Sequence, residues 1–260
     1  MFGKNDKLTF RHRDTGASLL VREVFATIQG EGPMTGWPAV FLRLGGCPLS
    51  CWFCDTDFDQ QESTWTEAGV LANVIAAEWE NQLWPDESRF VVITGGEPFA
   101  QDLTPLIYEL KDRGFTVQIE TSGVGMPGPS EPHWWKNGWA TVVCSPKTGS
   151  VWKPLLWERT PCPVYWKYII GAEMDLAADG LPLSSTQQRD HDKTVLLQRP
   201  PLESMQAGRV YVQPLYEYLD EAELKPNTLQ NHRNEQTVRN VALSNGYRVS
   251  MQIHKQLGVE

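Results

Sequence analysis

Long hydrophobic runs are missing from this sequence. Nowhere do apolar residues extend to the roughly 20 that a membrane-crossing helix needs. The N-terminus, MFGKNDKLTFRHRD, is polar where a secretory leader would carry an apolar stretch. The expectation is a soluble, cytoplasmic protein without a membrane partner. Positive charge is also in short supply: 23 Lys and Arg face 32 Asp and Glu, for a net charge of −9. Broad binding to nucleic acid needs the opposite balance, so no nucleic-acid partner is expected. Cysteine is sparse and odd in number, five in 260 residues, with three of them in one loop. A disulfide framework would spread paired cysteines along the chain, and a reducing cytosol disfavours one. Cys144, closing ATVVC, reads as a buried small hydrophobe, and Cys162, between two prolines, as a loop residue. Tryptophan is the exception to this sparseness. Of eleven, Trp134, Trp135, Trp139, Trp152, Trp157 and Trp166 share one region, and the sequence assigns them no role.

What is present is an alternation of two periodicities. AVFLRLGG (39–46), RFVVITGG (89–96), FTVQIETSG, ATVVCSP, VYWKYIIG and RVYVQP (209–214) are short apolar runs that read as buried strands. YRVSMQIH (247–254) reads as the last strand of the series. Between them, TWTEAGVLANVIAAEWENQL reads as a helix opened by a Thr64/Glu67 capping box, with Val70, Leu71, Val74, Ile75 and Trp79 on its inner face. Leu103, Leu106, Ile107 and Leu110 mark a second helix that stops at Gly114, and a third spans about Thr228 to Asn245. Strands alternating with helices imply right-handed crossovers and a parallel sheet. The units are too few for a closed eight-fold barrel. The expected fold is therefore α/β, an incomplete, modified (β/α) barrel of about six or seven mostly parallel strands in a single domain over 1–260. Two segments rich in Pro, Gly, Ser and charge, near 124–139 and 172–208, read as loops or insertions with short helices.

In such folds chemistry collects at the C-terminal ends of the strands. The cysteine loop, TGGEP, ETSG, SPK and QP each fall at that point of a successive strand. The loop reads GGCPLSCWFCDTDF, so Cys47, Cys51 and Cys54 stand in the pattern C-x3-C-x2-C. Structural zinc sites usually come as two ligand pairs, each bracketing a turn, and a second pair is missing here. A 4Fe–4S cluster suits three thiolates better, because one iron then stays open to a non-protein ligand.

That loop, with Phe53 before its last cysteine, resembles the signature of the radical S-adenosylmethionine enzymes. FATIQGEGPMTGWPAVFLRLGGCPLSCWFCDTDF is similar, more narrowly, to the start of the 7-carboxy-7-deazaguanine synthases, and VVITGGEP, IETSG, SPK, QP and QIHKQLG follow in that family's order. The similarity runs from about residue 23 to 258, broken by the two loop segments. It implies conversion of 6-carboxy-5,6,7,8-tetrahydropterin to 7-carboxy-7-deazaguanine with loss of ammonia, a carbon–nitrogen lyase step towards queuosine. It further implies a 4Fe–4S cluster, S-adenosyl-L-methionine and Mg2+ as cofactors, a homodimer, and flavodoxin as electron donor.

Carried over residue by residue, the resemblance puts the cluster on Cys47, Cys51 and Cys54 and Mg2+ on Thr56. Adenosylmethionine would be met by Phe53, Cys54, Asp55, Gly95, Gly96 and Glu97, then by Ser122, Ser145, Pro146, Lys147, Gln213 and Pro214. Ile28, Gln29, Gly30, Glu31, Arg43 and Thr94 would contact the pterin. Arg43 carries its own argument, because a charge on an otherwise apolar strand needs an anion, either the substrate carboxylate or an acid of the chain. His254 and Lys255 are further candidates for the pocket, whereas Tyr216 stands where an acid or small polar residue is expected. No residue can be assigned the acid–base work of deamination. Two readings from elsewhere compete. A glycyl-radical activating enzyme would share the loop but leave Q-G-E-G and C-D-T unexplained, and a non-catalytic zinc or iron–sulfur protein would not need the rim motifs.

Overall fold

Phe90, Val91, Val92 and Ile93 are all fully buried, and so are Ala39, Val40, Leu42 and Leu44. Runs covered on both faces belong to the middle of a parallel sheet. The computed structural model describes residues 17–49, 51, 53–54, 56, 62–124, 133–147, 161–183, 197–220 and 225–259. Asp55, Trp152, Trp157 and, within the two loop segments, residues 125–132 and 184–196 lie outside that set.

Among the described residues, nine strands form one sheet. In chain order they are β1 (Ser18–Ile28), β2 (Pro38–Leu44), β3 (Thr64–Glu67), β4 (Phe90–Gly95), β5 (Thr116–Thr121), β6 (Ala140–Cys144), β7 (Val164–Ile170), β8 (Val210–Pro214) and β11 (Arg248–Val249). A separate hairpin pairs β9 (Tyr218–Asp220) with β10 (Lys225–Pro226). The sheet order is β11-β8-β7-β6-β5-β4-β2-β1-β3. From β2 to β11 every pairing is parallel. β1 and β3 add an antiparallel edge. The parallel strands are as expected; the antiparallel edge has no counterpart in the sequence reading, which did not identify β1 as a strand.

The helices are α1 (Ala68–Asn81), α2 (Thr104–Asp112), α3 (His133–Lys136), α4 (Leu202–Gln206), α5 (Thr228–Asn245) and α6 (Ile253–Leu257). α1 rests on β1 and α2, α2 on β5, and α5 on β8. α5 has the expected bounds, with the Asn227 side chain accepting from the Gln230 N–H and Gly246 at φ 70° ending it.

Three expectations are corrected. Thr64 and Glu67 form no capping box: Thr64–Glu67 is β3, paired with Val21 to Ser18, and α1 starts at Ala68 without a side-chain cap. β-branched and aromatic residues at 64–66 took the free edge of β1 instead of a helical turn. α1 buries Ala68, Leu71, Ala72, Ile75 and Trp79, leaving Val70 and Val74 54% and 45% exposed. Two alanines let the helix lie close to the sheet, and apolar periodicity gives small residues little weight. The last strand shrinks to Arg248–Val249, because Ser250 turns inward and the chain continues as α6. Cys162 does lie in a loop but is 2% exposed, its thiol directed at the Trp134 and Trp135 carbonyls.

Cys144 is wholly buried, as expected. Trp134, Trp135 and Trp166 sit in the same core, with Trp134 and Trp135 packed on Phe99 just beyond β4. Trp134 and Trp135 thus back the turn that follows β4.

The sheet is open at β11 and β3, and β1 explains what fills its interior. Being antiparallel, it ends with Ile28 opposite Pro38, the first residue of β2. The Gln29–Met34 segment therefore enters from the end opposite the cysteine loop and plugs the interior. The Gly32 N–H donates to Ser250 Oγ at 3.1 Å, Gln213 Nε2 to Glu31 Oε1 at 3.0 Å, and the Ile253 N–H to the Gly30 carbonyl at 3.3 Å. Side chains of the first strands thus reach those of the last.

Candidate active site

Every second residue of the parallel strands points inward. Phe41 and Arg43 of β2, Thr94 of β4, Glu120 of β5, Lys167 and Ile169 of β7, and Gln213 of β8 accordingly line one cavity of about 510 Å3.

The cysteine loop forms one wall. Cys47, Cys51, Cys54, Phe53 and Thr56 all face the cavity. Cys47 and Leu49 pack with Cys51, Cys54 and Val124, and all five cysteines of the chain are free thiols. Burial, then the Glu97 carboxylate, pushes the Cys47 thiol well up. Burial also raises Cys51, against the opposing pull of the Lys147 ammonium. Three thiols gathered on one wall, two of them with ionisation disfavoured by burial, suit a soft metal cluster, which takes thiolates and neutralises them. Among the described residues no three Cys, His, Asp or Glu side chains converge on one ion. A cluster that gives each thiolate its own iron does not require such convergence.

Beside this loop the backbones of β2 and β4 nearly touch. The Gly96 N–H donates to the Leu44 carbonyl at 2.9 Å and the Glu97 N–H to the Gly46 carbonyl at 3.0 Å. A Cβ on Gly96 would run into the Gly46 carbonyl. Gly95 and Gly96 line the cavity, whereas Glu97 stands behind them, 1% exposed. Its carboxylate accepts from the Phe99 N–H (3.1 Å), Thr121 Oγ1 (2.6 Å), the Ser122 N–H (2.9 Å) and the Ser122 hydroxyl. Those four bonds use its acceptor capacity. Ser122, Ser145, Lys147, Gln213 and Pro214 continue the rim along the next strand ends, and Pro146 is set back from it. Lys147 Nζ donates to the Ser145 carbonyl and hydroxyl at 2.9 and 2.6 Å and lies 5.8 Å from the Phe53 ring centroid. Burial pushes its pKa down.

The floor is polar. Lys167 pairs with Glu31, which also accepts from Gln213. Gln29 Nε2, Gln118 Nε2 and Thr94 Oγ1 donate to Glu120 at 2.8, 3.2 and 3.2 Å. Burial raises the Glu120 pKa; the Lys167 ammonium lowers it and the Glu31 carboxylate raises it again. Ile28 lines the cavity, while Gly30 sits behind it against His254, whose ring a Cβ on Gly30 would strike. His254, Lys255 and Tyr216 line the cavity as well, with Lys255 Nζ 4.6 Å from the Tyr216 ring centroid.

Glu120 and Lys167 escaped the sequence reading, although the signal that marked Arg43, a charge at an inward position of an apolar strand, marks both. A folded-state carboxyl pKa above the unfolded value of roughly 4.3 weakens the fold as pH rises past that value. Glu120→Gln is therefore expected to gain stability on the native protein as pH climbs from 4 to 8, and thermal melts across that range check it. A difference that stays flat or narrows contradicts the raised pKa.

No family model matches the chain. A 7-carboxy-7-deazaguanine synthase from Rhodospirillum rubrum is 36% identical over 263 residues, covering 100% of both proteins. The chain belongs to the 7-carboxy-7-deazaguanine synthase family. The synthase from Rickettsia prowazekii is 32% identical over all of this chain and 96% of its own, and that from Escherichia coli 40% identical over 49% of this chain and 60% of its own. The crystal structure of QueE from Escherichia coli superposes with a TM-score of 0.58 at 23% identity, covering 91% of this chain and 94% of the other. That likeness extends to the fold. Membership of this synthase family brings radical S-adenosylmethionine chemistry with it.

Proposed function

We propose that this synthase converts 6-carboxy-5,6,7,8-tetrahydropterin to 7-carboxy-7-deazaguanine with loss of ammonia, a step in queuosine synthesis. The observation that carries the reading is the meeting of the three-cysteine wall with the inward Gln29, Arg43 and Thr94 in one cavity. Cys47, Cys51 and Cys54 would hold a 4Fe–4S cluster, and the Thr56 hydroxyl Mg2+, a cation that takes oxygen ligands and few of them from protein. When bound, the cluster and adenosylmethionine supply a 5′-deoxyadenosyl radical that removes hydrogen from an unactivated C–H bond.

The remaining work falls to the chain. Gly95 and Gly96 let backbone approach adenosylmethionine closely, with Phe53, Cys54, Ser122, Ser145, Lys147, Gln213 and Pro214 around the same cavity and Pro146 behind them; Asp55, the other candidate contact, lies outside the described residues. For Glu97 to receive an ammonium, one of the two hydroxyls it now accepts from would have to turn away. Ile28, Gln29, Glu31 and Thr94 would hold the pterin edge, with Gly30 behind them letting His254 pack close, and Arg43 would hold the carboxylate. Glu120, bonded to both Gln29 and Thr94, is placed to hold or release a proton next to that edge. The chain acts as one domain in the cytoplasm, as a homodimer served by flavodoxin.

EPR of the anaerobically reconstituted, reduced protein tests this. A 4Fe–4S signal that shifts on adding S-adenosylmethionine is expected. A stoichiometric zinc with no cluster, or a cluster blind to the cofactor, sinks the reading.

A further inference from the structure

Arg43 makes an ion pair with Glu23 through Nη1. The two residues face each other across β1 and β2. β1 is irregular here: Val21 faces Leu44 and Glu23 faces Arg43, so Arg22 is an extra residue, and such bulges re-aim their neighbours. Phe25, two residues on and on the same face, lies under the guanidinium, with Cζ 5.1 Å from the ring centroid. Below, Gly95 leaves room for the arginine stem, since a Cβ there would come within 2.8 Å of Arg43 Cγ. The guanidinium is thus held at its Nη1 corner and on one face.

One edge is left over. Arg43 Nε is buried and, among the described residues, has no hydrogen-bond partner, an expensive state for a charged group's donor. The Nε–Nη2 edge is the side of a guanidinium that matches both oxygens of a carboxylate. Glu23 occupies the other side, and Arg43 lines the cavity.

We infer that Glu23 is a positioning residue. It holds Arg43 by Nη1 and leaves the Nε–Nη2 edge unclaimed by the protein, for a ligand carboxylate that a small side-chain shift lets in from the cavity. The inference rests on the proposed reading of Arg43 as the carboxylate seat and adds what aims it. Glu23 also carries a negative charge beside an arriving anion. Were charge all that mattered, removing it would strengthen anion binding; if aim matters more, removing it weakens binding.

The test uses fluorescence to measure affinity of the reconstituted enzyme for two probes, 6-carboxypterin and pterin, which lacks the carboxylate. The native protein is expected to prefer 6-carboxypterin, and Arg43→Met to lose that preference. Glu23→Gln is expected to cut it roughly tenfold, the scale of a charged hydrogen bond, with pterin affinity unchanged. In Arg43→Met the Glu23→Gln change should have no further effect. A preference that survives Arg43→Met defeats the carboxylate reading itself. If Arg43→Met loses the preference but Glu23→Gln keeps or increases it, the positioning role alone is overturned. Equal weakening of both probes in Glu23→Gln overturns it too, as the mark of a merely structural residue.

Discussion

Cys51→Ala is expected to fold, to bind no 4Fe–4S cluster and to lose turnover completely. Cys51 is half-buried at the cavity wall and forms no disulfide, so removing its sulfur leaves the core untouched. A cubane needs its terminal thiolates, and two do not hold it in the absence of further cysteines on this wall. Cys144 and Cys162 are buried in the main core, away from the cavity. Cys144→Ala and Cys162→Ala therefore serve as controls that keep the cluster while giving up some packing. The visible absorption of the reconstituted variants, with iron and sulfide analysis, separates the two classes. A cluster that persists in Cys51→Ala but vanishes in Cys144→Ala would place the metal elsewhere.

Gly95→Ala is expected to destabilise the protein strongly. Gly95 adopts φ 105°, a region that L side chains rarely enter, and its Cβ would collide with the Leu44 backbone. Neither obstacle can swing aside, because Leu44 is paired in the sheet. Strain and overpacking together set a loss of roughly 2–5 kcal/mol. Since the same junction seats Arg43 and opens onto the cysteine loop, cofactor binding should fall with stability. Chemical denaturation of Gly95→Ala and Gly114→Ala gives the comparison: Gly114 also has positive φ, at 77°, but a Cβ there meets nothing within 4 Å. Equal losses in the two would mean that backbone strain alone accounts for the effect.

Legibility in the sequence followed burial. Parallel strands covered on both faces are continuous apolar runs, so β2, β4, β5, β6, β7 and β8 stood out, together with the motifs at their ends. β1 did not, because its SLLVREVFATI mixes charge with apolar residues as a half-covered antiparallel strand must. Its polarity hid the residue that pairs with Arg43. The cysteine and glycine motifs were readable because few residue types can do what they do. Glu31 could be found as a motif member, but its pairing with Lys167 joins positions 136 residues apart, and only the tertiary fold brings them together. The inner face of α1 was misjudged for a related reason: alanine is buried there by proximity to the sheet, not by hydrophobicity.

The most direct test of the central claim is anaerobic turnover. The reconstituted, reduced protein is given 6-carboxy-5,6,7,8-tetrahydropterin, S-adenosylmethionine and Mg2+, and the products are read by mass spectrometry. The account predicts 7-carboxy-7-deazaguanine and ammonia in equal amounts, with 5′-deoxyadenosine formed alongside. Cleavage of S-adenosylmethionine while the pterin is recovered unchanged would contradict it.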